Sequence, residues 1–339
     1  MKRYILLTGG AGFIGSHLAR ALLAIPEFQG HGIVILDDLS GGFQENIPQS
    51  PRVTLIRGSI TDDALVKEAF RRYRFRFVYH LAAYAAEGLS HFIRHFNYTN
   101  NLIGSVNLIN ASINFGVECF IFTSSIAVYG PAQVPMQEDM APQPEDPYGI
   151  AKYAIELDLK AARAMFGMNY VIFRPHNVYG EYQNIGDLYR NVVGIFMNQI
   201  LQGKSMTIFG DGGQQRAFSY IGDIAPILAR PPLVSGARNR VFNIGADQVY
   251  TVNELARRVG EAMGVNPTTV HLPARQEVGV AFSDHSACTE VFGQQTQTPL
   301  EEGLQRMAAW VKTVGARKSR EFENIELQKN LPGRWVKQA

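Results

Sequence analysis

The first forty residues constrain the fold more than any other stretch. An apolar run at 4–8 leads into Gly9-Gly10-Ala11-Gly12-Phe13-Ile14-Gly15, a GxxGxxG. Helical periodicity follows over 17–24, and a second apolar run at 33–36 ends in Asp37-Asp38. Glycines at this spacing let a backbone approach a diphosphate and let the helix pack closely on the strand, while the helix N-terminus offers N–H donors and the positive end of its dipole. A glycine motif alone is weak; strand before, helix after and an acid about 20 residues on together predict a dinucleotide site. Gly9, Gly12, Phe13, Ile14 and Gly15 are its expected phosphate-side contacts. Asp37, at the strand tip, is placed to accept from the adenosine ribose hydroxyls, and its charge, reinforced by Asp38, opposes a 2′-phosphate, so NAD is favoured over NADP. The other reading of Asp37 is a loop cap.

Further strand-like runs occur at 53–57, 77–81, 119–124 and 170–174, separated by helix-length segments. Strand and helix alternating in this way predict an α/β fold, a Rossmann-type doubly wound parallel sheet with right-handed crossovers. After about residue 178 the texture changes to Gly-rich loops (Gly210, Gly212, Gly213), a Pro231-Pro232 pair and isolated helical patterns at 252–263 and 300–314. The strand-like 241–244 is expected to return to the first sheet. The predicted division is therefore a dinucleotide domain of 1–178 plus about 217–250, and a smaller, sequence-interleaved α/β substrate domain of about 179–216 and 251–339.

Of 339 residues, 46% are hydrophobic and 18% charged, which excludes a disordered chain. A net charge of +2 gives weak long-range attraction to nucleic acid or anionic lipid, so neither is expected as a partner. Arg71, Arg72, Arg74 and Arg76 alternate with Tyr73, Phe75 and Phe77 where a helical pattern meets a strand; a solvated helix end complementing the helix dipole is preferred over a phosphate track. Cys119 and Cys288 are far apart, with no CxxC, so no disulfide framework or metal site is encoded. The apolar run at 4–7 is too short for a signal-peptide core, and no run approaches a membrane span. The expectation is a soluble cytoplasmic protein.

The segment Asp146-Pro147-Tyr148-Gly149-Ile150-Ala151-Lys152 reads as a helix start, with Asp146 as N-cap and Pro147 at the first helical position. Tyr148 and Lys152, four apart, share one face. Their spacing alone is a weak signal, but the pair follows a strand that ends in Thr123-Ser124-Ser125, at the sheet edge where such folds keep their ligands. A tyrosine near pKa 10 becomes a base at neutral pH only if nearby positive charge favours phenolate. Lys152 is expected to orient the cofactor ribose and lower the Tyr148 pKa, and Ser125 to bridge substrate hydroxyl and phenol. The alternative is a buried tyrosine with an exposed lysine.

At these residues the chain resembles the extended short-chain dehydrogenase/reductase family, and within it the nucleotide-sugar epimerases and dehydratases typified by UDP-galactose 4-epimerase. The resemblance rests on TGGAGFIGSHL (8–18), LDDLS (36–40), HLAA (80–83), YTNNLIGS (98–105), FTSSIAVYG (122–130), PYGIAK (147–152), RPHNVYG (174–180) and IFGDGGQQRAFSYIGDIA (208–225). It implies that Ser40, Gly42, Ser59, Ile60, Leu81, Ala82, Ala83, Asn100, Ser124 and Pro175 line the cofactor. It also implies that Asn177, Asn191, Thr207, Phe209, Arg216 and Arg275 hold a nucleotide diphosphate, and that the subunits dimerise through helices near 100–115 and 151–166. Arg216 and Arg275 suit phosphate oxygens as planar forks; the other reading of each alone is a surface ion-pair partner.

The departures narrow the reading. Ser59 stands where the family usually has an acid for the adenine amine. Ile126 and Ala127 stand where sugar 4,6-dehydratases carry an Asp-Glu pair, and the Glu favoured in the uronic-acid decarboxylases is missing too. Glu87 replaces an apolar residue and either touches the sugar or caps a helix. His176 replaces an aromatic and is either structural or sugar-facing. Near Arg275 the pattern is one residue short; if the position that gates sugar size falls at Ala281, an N-acetyl group has room. The reading is an NAD-dependent nucleotide-sugar 4-epimerase with Tyr148, Lys152 and Ser125 as catalytic residues. The alternatives are another 4-keto chemistry (3- or 5-epimerisation, dehydration, decarboxylation or oxidation) and a non-catalytic dinucleotide sensor.

Overall fold

The computed structural model describes residues 3–131, 133–266, 268–274, 278–294, 296–318, 322–332 and 335. The first half runs β1 (Arg3–Thr8), α1 (Phe13–Ala24), β2 (His31–Asp37), β3 (Val53–Arg57), α2 (Asp63–Arg72), β4 (Phe75–His80), α3 (Glu87–Ser90), α4 (Arg94–Tyr98), α5 (Gly104–Asn114), β5 (Cys119–Thr123), α6 (Pro147–Phe166) and β6 (Tyr170–Pro175). The second half runs β7 (Val178–Tyr179), α7 (Val192–Leu201), β8 (Met206–Phe209), β9 (Gln215–Ala217), β10 (Ser219–Tyr220), α8 (Ile221–Ala229), β11 (Arg240–Ile244), β12 (Val249–Thr251), α9 (Val252–Met263), β13 (Thr269–Leu272), β14 (Val280–Ala281), α10 (Ser286–Phe292) and α11 (Leu300–Val314).

Seven strands form one parallel sheet in the order β11-β6-β5-β4-β1-β2-β3. Side chains alternate across a strand, and in a doubly covered sheet both faces must be apolar. Ile5 and Leu7 of β1, with Ile33 and Ile35 of β2, join Leu18 and Leu22 of α1 and Ile221 and Leu228 of α8 in one core. Leu6, Val34 and Leu36 point to the other face, where Val66 and Phe70 of α2, Leu108 of α5 and Ile155 and Leu159 of α6 cover them. The α/β doubly wound reading holds, and 241–244 is the edge strand beside β6.

Strand order reverses between β1 and β4, so the connections that leave their carboxyl ends turn to opposite faces and open the crevice that such sheets use for ligands. Arg71 and Arg72 lie in the last turn of α2, and Arg76 pairs with Glu118 at 2.8 Å, in keeping with the solvated helix end. The later strands form three small sheets: β12-β9-β14, β13-β8 and β10-β7. Among the described residues no helix is long and apolar enough to cross a membrane.

Candidate active site

The loop after β1 is shaped by what its glycines lack. Gly9 has φ +72°, and a Cβ there would lie 2.8 Å from the Ala82 amide nitrogen at the end of β4. On Gly15 a Cβ would fall 2.1 Å from the Gly9 carbonyl oxygen, and on Gly42 it would fall 2.5 Å from that of Ala11. Neither backbone can yield, so side chains here would rebuild the loop. The start of α1 is left facing the crevice with amides of its first turn unpaired within the helix. This cradle fits a dinucleotide diphosphate.

Asp37 is buried and its carboxylate is already engaged: Ala11 N–H donates to Oδ2 at 2.9 Å and Leu39 N–H to Oδ1 at 2.9 Å. The loop-cap role is therefore real, and it coexists with lone pairs left to accept from a ribose. Burial raises the carboxyl above its usual range, partly offset by those amide bonds. Asp38 is exposed and accepts from Ser40 N–H at 2.9 Å.

A single cleft of about 590 Å³ runs from this loop across the carboxyl ends of the sheet into the second half of the chain. Its walls include the glycine loop, Asp37, Asp38, Ser40, Gly42, Ser59, Ile60, Leu81, Ala82, Ala83, Asn100, Ser124 and Pro175 on one side. They include Glu87, Asn177, Asn191, Thr207, Phe209 and Arg216 on the other, with Ser125, Tyr148 and Lys152 between. Arg275 lies outside the described residues.

Asp146 caps α6 by accepting from Gly149 N–H at 2.9 Å, and Pro147 occupies the first turn. Tyr148 and Lys152 thus sit at the start of α6, beneath the end of β5. Lys152 is fully buried; its Nζ donates to the Thr123 carbonyl at 2.7 Å and lies 4.7 Å from the Phe122 ring centroid and 5.8 Å from that of Tyr148. The expected lowering of the Tyr148 pKa is not found in the chain alone. Burial raises the phenol, the Ser125 hydroxyl bond counters part of that, Asp146 and Glu87 add to the rise, and Arg190 opposes it. Desolvation also pulls Lys152 down to about 7, with Glu156 opposing. Two buried groups, each resisting its charged form, win over their mutual attraction.

Three buried networks brace this centre. Glu156 accepts from Ser124 Oγ at 2.6 Å and from Arg174 Nε and Nη2 at 3.0 and 2.5 Å, so the Ser124 hydroxyl is turned into the core although the residue lines the cleft. His80 bridges Thr8 Oγ1 at 2.8 Å and Ser105 Oγ at 2.7 Å; Thr8 Oγ1 also accepts from the Leu81 and Ala82 amides at 3.2 Å. Burial, then Lys152, lowers His80 to about 3, so it is neutral.

His176 is the third. Its Nδ1 faces the Ala217 carbonyl at 3.2 Å and its Nε2 lies 3.1 Å from His285 Nε2, while His285 Nδ1 is 2.7 Å from Asp247 Oδ1. Ala217 O accepts only, so His176 Nδ1 carries a proton, and His285 Nε2 also lies 3.1 Å from Ser283 Oγ. Burial, then His285, lowers His176 to about 3, so it is neutral. His176 is thus buried and hydrogen-bonded, and it also lines the cleft.

The substrate-side residues are positioned by backbone. Asn177 (φ +42°) donates from Nδ2 to Ala217 O at 3.1 Å, and Asn191 (φ +61°) precedes α7. Thr207 Oγ1 accepts from Gln199 Nε2 at 2.9 Å. Arg216 bonds the Val278 and Gly279 carbonyls at 2.5 and 3.1 Å, tying β9 to the segment before β14. Ser59 Oγ pairs with Thr61 Oγ1 at 2.8 Å, and Asn100 donates to Phe96 O at 2.9 Å. Glu87 opens α3, on the cleft wall near Tyr148. Sequence reasoning missed Tyr84, Gln183, Asp187 and Arg190, which also line the cleft. An Asp and an Arg three apart before α7 was the one signal available.

Residues 5–245 match the NAD dependent epimerase/dehydratase family. The UDP-glucose 4-epimerase of Mycolicibacterium smegmatis is 34% identical over 306 residues, 88% of this chain and 95% of that protein. The crystal structure of UDP-glucose 4-epimerase from Thermotoga maritima with UDP-glucose superposes with a TM-score of 0.84 at 34% identity, covering 92% of this chain and 99% of that one. The Thermus thermophilus UDP-glucose 4-epimerase complex with NAD superposes with a TM-score of 0.84 at 30% identity, covering 91% and 99%. The glycine cradle, the buried acid and these matches together make the chain a member of the NAD-dependent epimerase/dehydratase family, with NAD as its cofactor.

Proposed function

We propose that the chain is a nucleotide-sugar 4-epimerase, with Tyr148 as the proton acceptor for the sugar 4-hydroxyl. The observation that carries the reading is the juxtaposition of Ser125, Tyr148 and Lys152 midway along one cleft, with Ile126 and Ala127 as the neighbouring wall. Neither can hold or move a proton, which disfavours dehydration.

In this reading Asn177, Asn191, Thr207, Phe209, Arg216 and Arg275 hold the nucleotide diphosphate, UDP being the nucleotide of the relatives above. That assigns 1–178 with about 217–250 to the cofactor, and 179–216 with 251–339 to the sugar nucleotide. Bound NAD supplies a hydride acceptor at the sugar carbon and, after the 4-keto sugar has turned over, the donor to its other face. Tyr148 takes the hydroxyl proton and returns it, Ser125 orients that proton, and Lys152, driven toward its cationic form by the deprotonating phenol, holds the phenolate. Ala281 leaves room for a bulky sugar substituent. Ile103, Phe115, Ile150, Leu157, Met165 and Phe166, all exposed on or beside α5 and α6, supply the apolar surface for a homodimer through those helices.

The test is incubation with UDP-, GDP-, CDP- and dTDP-sugars, followed by NMR and by absorbance of NADH. The expected product is a C4-inverted sugar with no net NADH. Loss of water or carbon dioxide, inversion at C3 or C5, or steady NADH would overturn it and turn attention to Glu87; silence across the panel would leave the non-catalytic sensor.

A further inference from the structure

The family's glycine cradle accounts for the diphosphate by backbone alone, yet a dinucleotide diphosphate carries two negative charges and a helix N-terminus supplies roughly half of one positive charge. Among the described residues, Lys152, Arg190 and Arg216 are the Lys and Arg side chains on the cleft wall. Lys152 is turned onto Thr123 beneath Tyr148, and Arg216 onto Val278 and Gly279 at the far end. Arg190 borders Gly41, in the loop after β2 that packs on the glycine loop through Gly42.

Its place is fixed from three sides. A Cβ built on Gly41 would lie 3.3 Å from Arg190 Nη2 and 3.7 Å from Nη1, so the guanidinium lies against that backbone; the next residue, Gly42, is packed on Ala11 and Gly12. The guanidinium carbon sits 4.7 Å from the Tyr84 ring centroid, one residue beyond the Ala82-Ala83 pair whose Ala82 amide backs Gly9. Asp187 Oδ2 accepts from Nε at 2.7 Å and from Nη2 at 2.5 Å, while its Oδ1 accepts from Tyr189 N–H at 2.9 Å. The fork is thereby aimed, with Nη1 outside the ion pair.

We propose that Arg190, reaching from the segment before α7 across the cleft mouth, clasps the diphosphate of bound NAD, with Asp187 orienting the guanidinium and Tyr84 supporting its face. An arginine suits this role because its planar donors match phosphate oxygens and its face stacks on an aromatic ring. Because the clasp comes from the substrate-side half of the chain, cofactor release requires that contact across the cleft to open, which keeps NAD in place through turnover.

The experiment uses the full chain and its Arg190→Gln variant, with affinities for NAD, ADP-ribose, adenosine and UDP measured by calorimetry, and NAD release followed by dilution. The variant is expected to bind NAD and ADP-ribose about tenfold or more weakly and to release NAD correspondingly faster, with adenosine and UDP unchanged. Arg190→Lys restores part of the affinity, and Asp187→Asn, which keeps the cation but loosens its aim, weakens NAD by a smaller factor. Unchanged NAD affinity in Arg190→Gln overturns the proposal, as does an equal loss for adenosine, which signals a collapsed loop, or a loss confined to UDP, which assigns Arg190 to the other ligand. If Arg190→Gln fails to fold, Arg190→Lys and Asp187→Asn carry the same comparison. Failure of the unmodified chain to bind UDP counts against the nucleotide-sugar reading and leaves the Arg190 result standing.

Discussion

The two ends of the cleft are built on different principles. At the cofactor end, position is set by missing atoms: Gly9, Gly15 and Gly42 meet backbone at 2.8, 2.1 and 2.5 Å from where a Cβ would stand. At the substrate end it is set by side chains that tie loops together, such as Arg216 on Val278 and Gly279, Gln199 on Thr207 and His285 on His176. A backbone cradle tolerates almost no substitution and serves one ligand class, whereas tethered loops can be retied for different sugars.

The largest effect tests which end owns the chemistry. Tyr148→Phe removes the phenol oxygen and keeps the ring, so turnover should fall about 10²- to 10⁴-fold while NAD and UDP affinities stay within twofold. Activity assays alongside calorimetry check this; near-normal turnover would move the proton acceptor elsewhere, with Glu87 next in line.

Lys152 comes second, and its sign differs from an ordinary surface lysine. The folded-state value, about 7, is below the unfolded 10.5, so between those pH values the unfolded chain binds more protons and stability rises with pH. Below pH 7 both states are protonated and the full burial cost is present. Lys152→Met should therefore stabilise the cofactor-free protein by on the order of 2 kcal/mol at pH 6, less the lost bond to Thr123, with the gain shrinking toward pH 10. Melting curves of both proteins across that range would show it. A Met variant that is less stable at pH 6 would mean that the ammonium is better solvated than its burial implies.

The glycines sharpen the comparison directly. Gly15→Ala forces a Cβ into the Gly9 carbonyl and should cost about 1–3 kcal/mol with severe loss of NAD affinity. Gly210, between β8 and β9, has φ +72° but among the described residues meets only Ala274, at 3.6 Å. Gly210→Ala should cost about 1 kcal/mol of backbone strain and leave NAD affinity unchanged. Equal effects on NAD would erase the distinction between the two ends.

What could be read in advance follows the same division. The strand–glycine–helix–acid unit and the Asp146-Pro147 helix start are local, so their residues were legible one by one, and the parallel sheet followed from alternation of runs. The networks that brace the site are not local. Glu156 reads as an ordinary helix residue until Ser124 and Arg174 arrive from β5 and β6, and Asp247 and His285 carry no motif. The Tyr148–Lys152 spacing was legible, but the opposed pKa shifts were not, because burial is a property of the packed core and not of a four-residue interval. Arg190 was missed for a related reason: its partner Asp187 is near in sequence, but Gly41 and Tyr84 are not.

The smallest effect concerns the histidine pair, which joins the loop carrying Asn177 to the segment before α10. His285→Ala leaves the buried Nε2 of His176 without its donor, a cost of about 1–3 kcal/mol less whatever a water recovers. His285→Gln can still donate an amide N–H to that nitrogen, so it should restore most of the stability. Because Asn177 hangs from the same Ala217 carbonyl as His176, the Ala variant should raise KM for the sugar nucleotide a few-fold with kcat and NAD affinity unchanged. His285→Gln separates the tether from simple packing, because it should bring KM back toward that of the unmodified chain. A KM that stays raised in the Gln variant as in the Ala variant would make the pair a packing contact only.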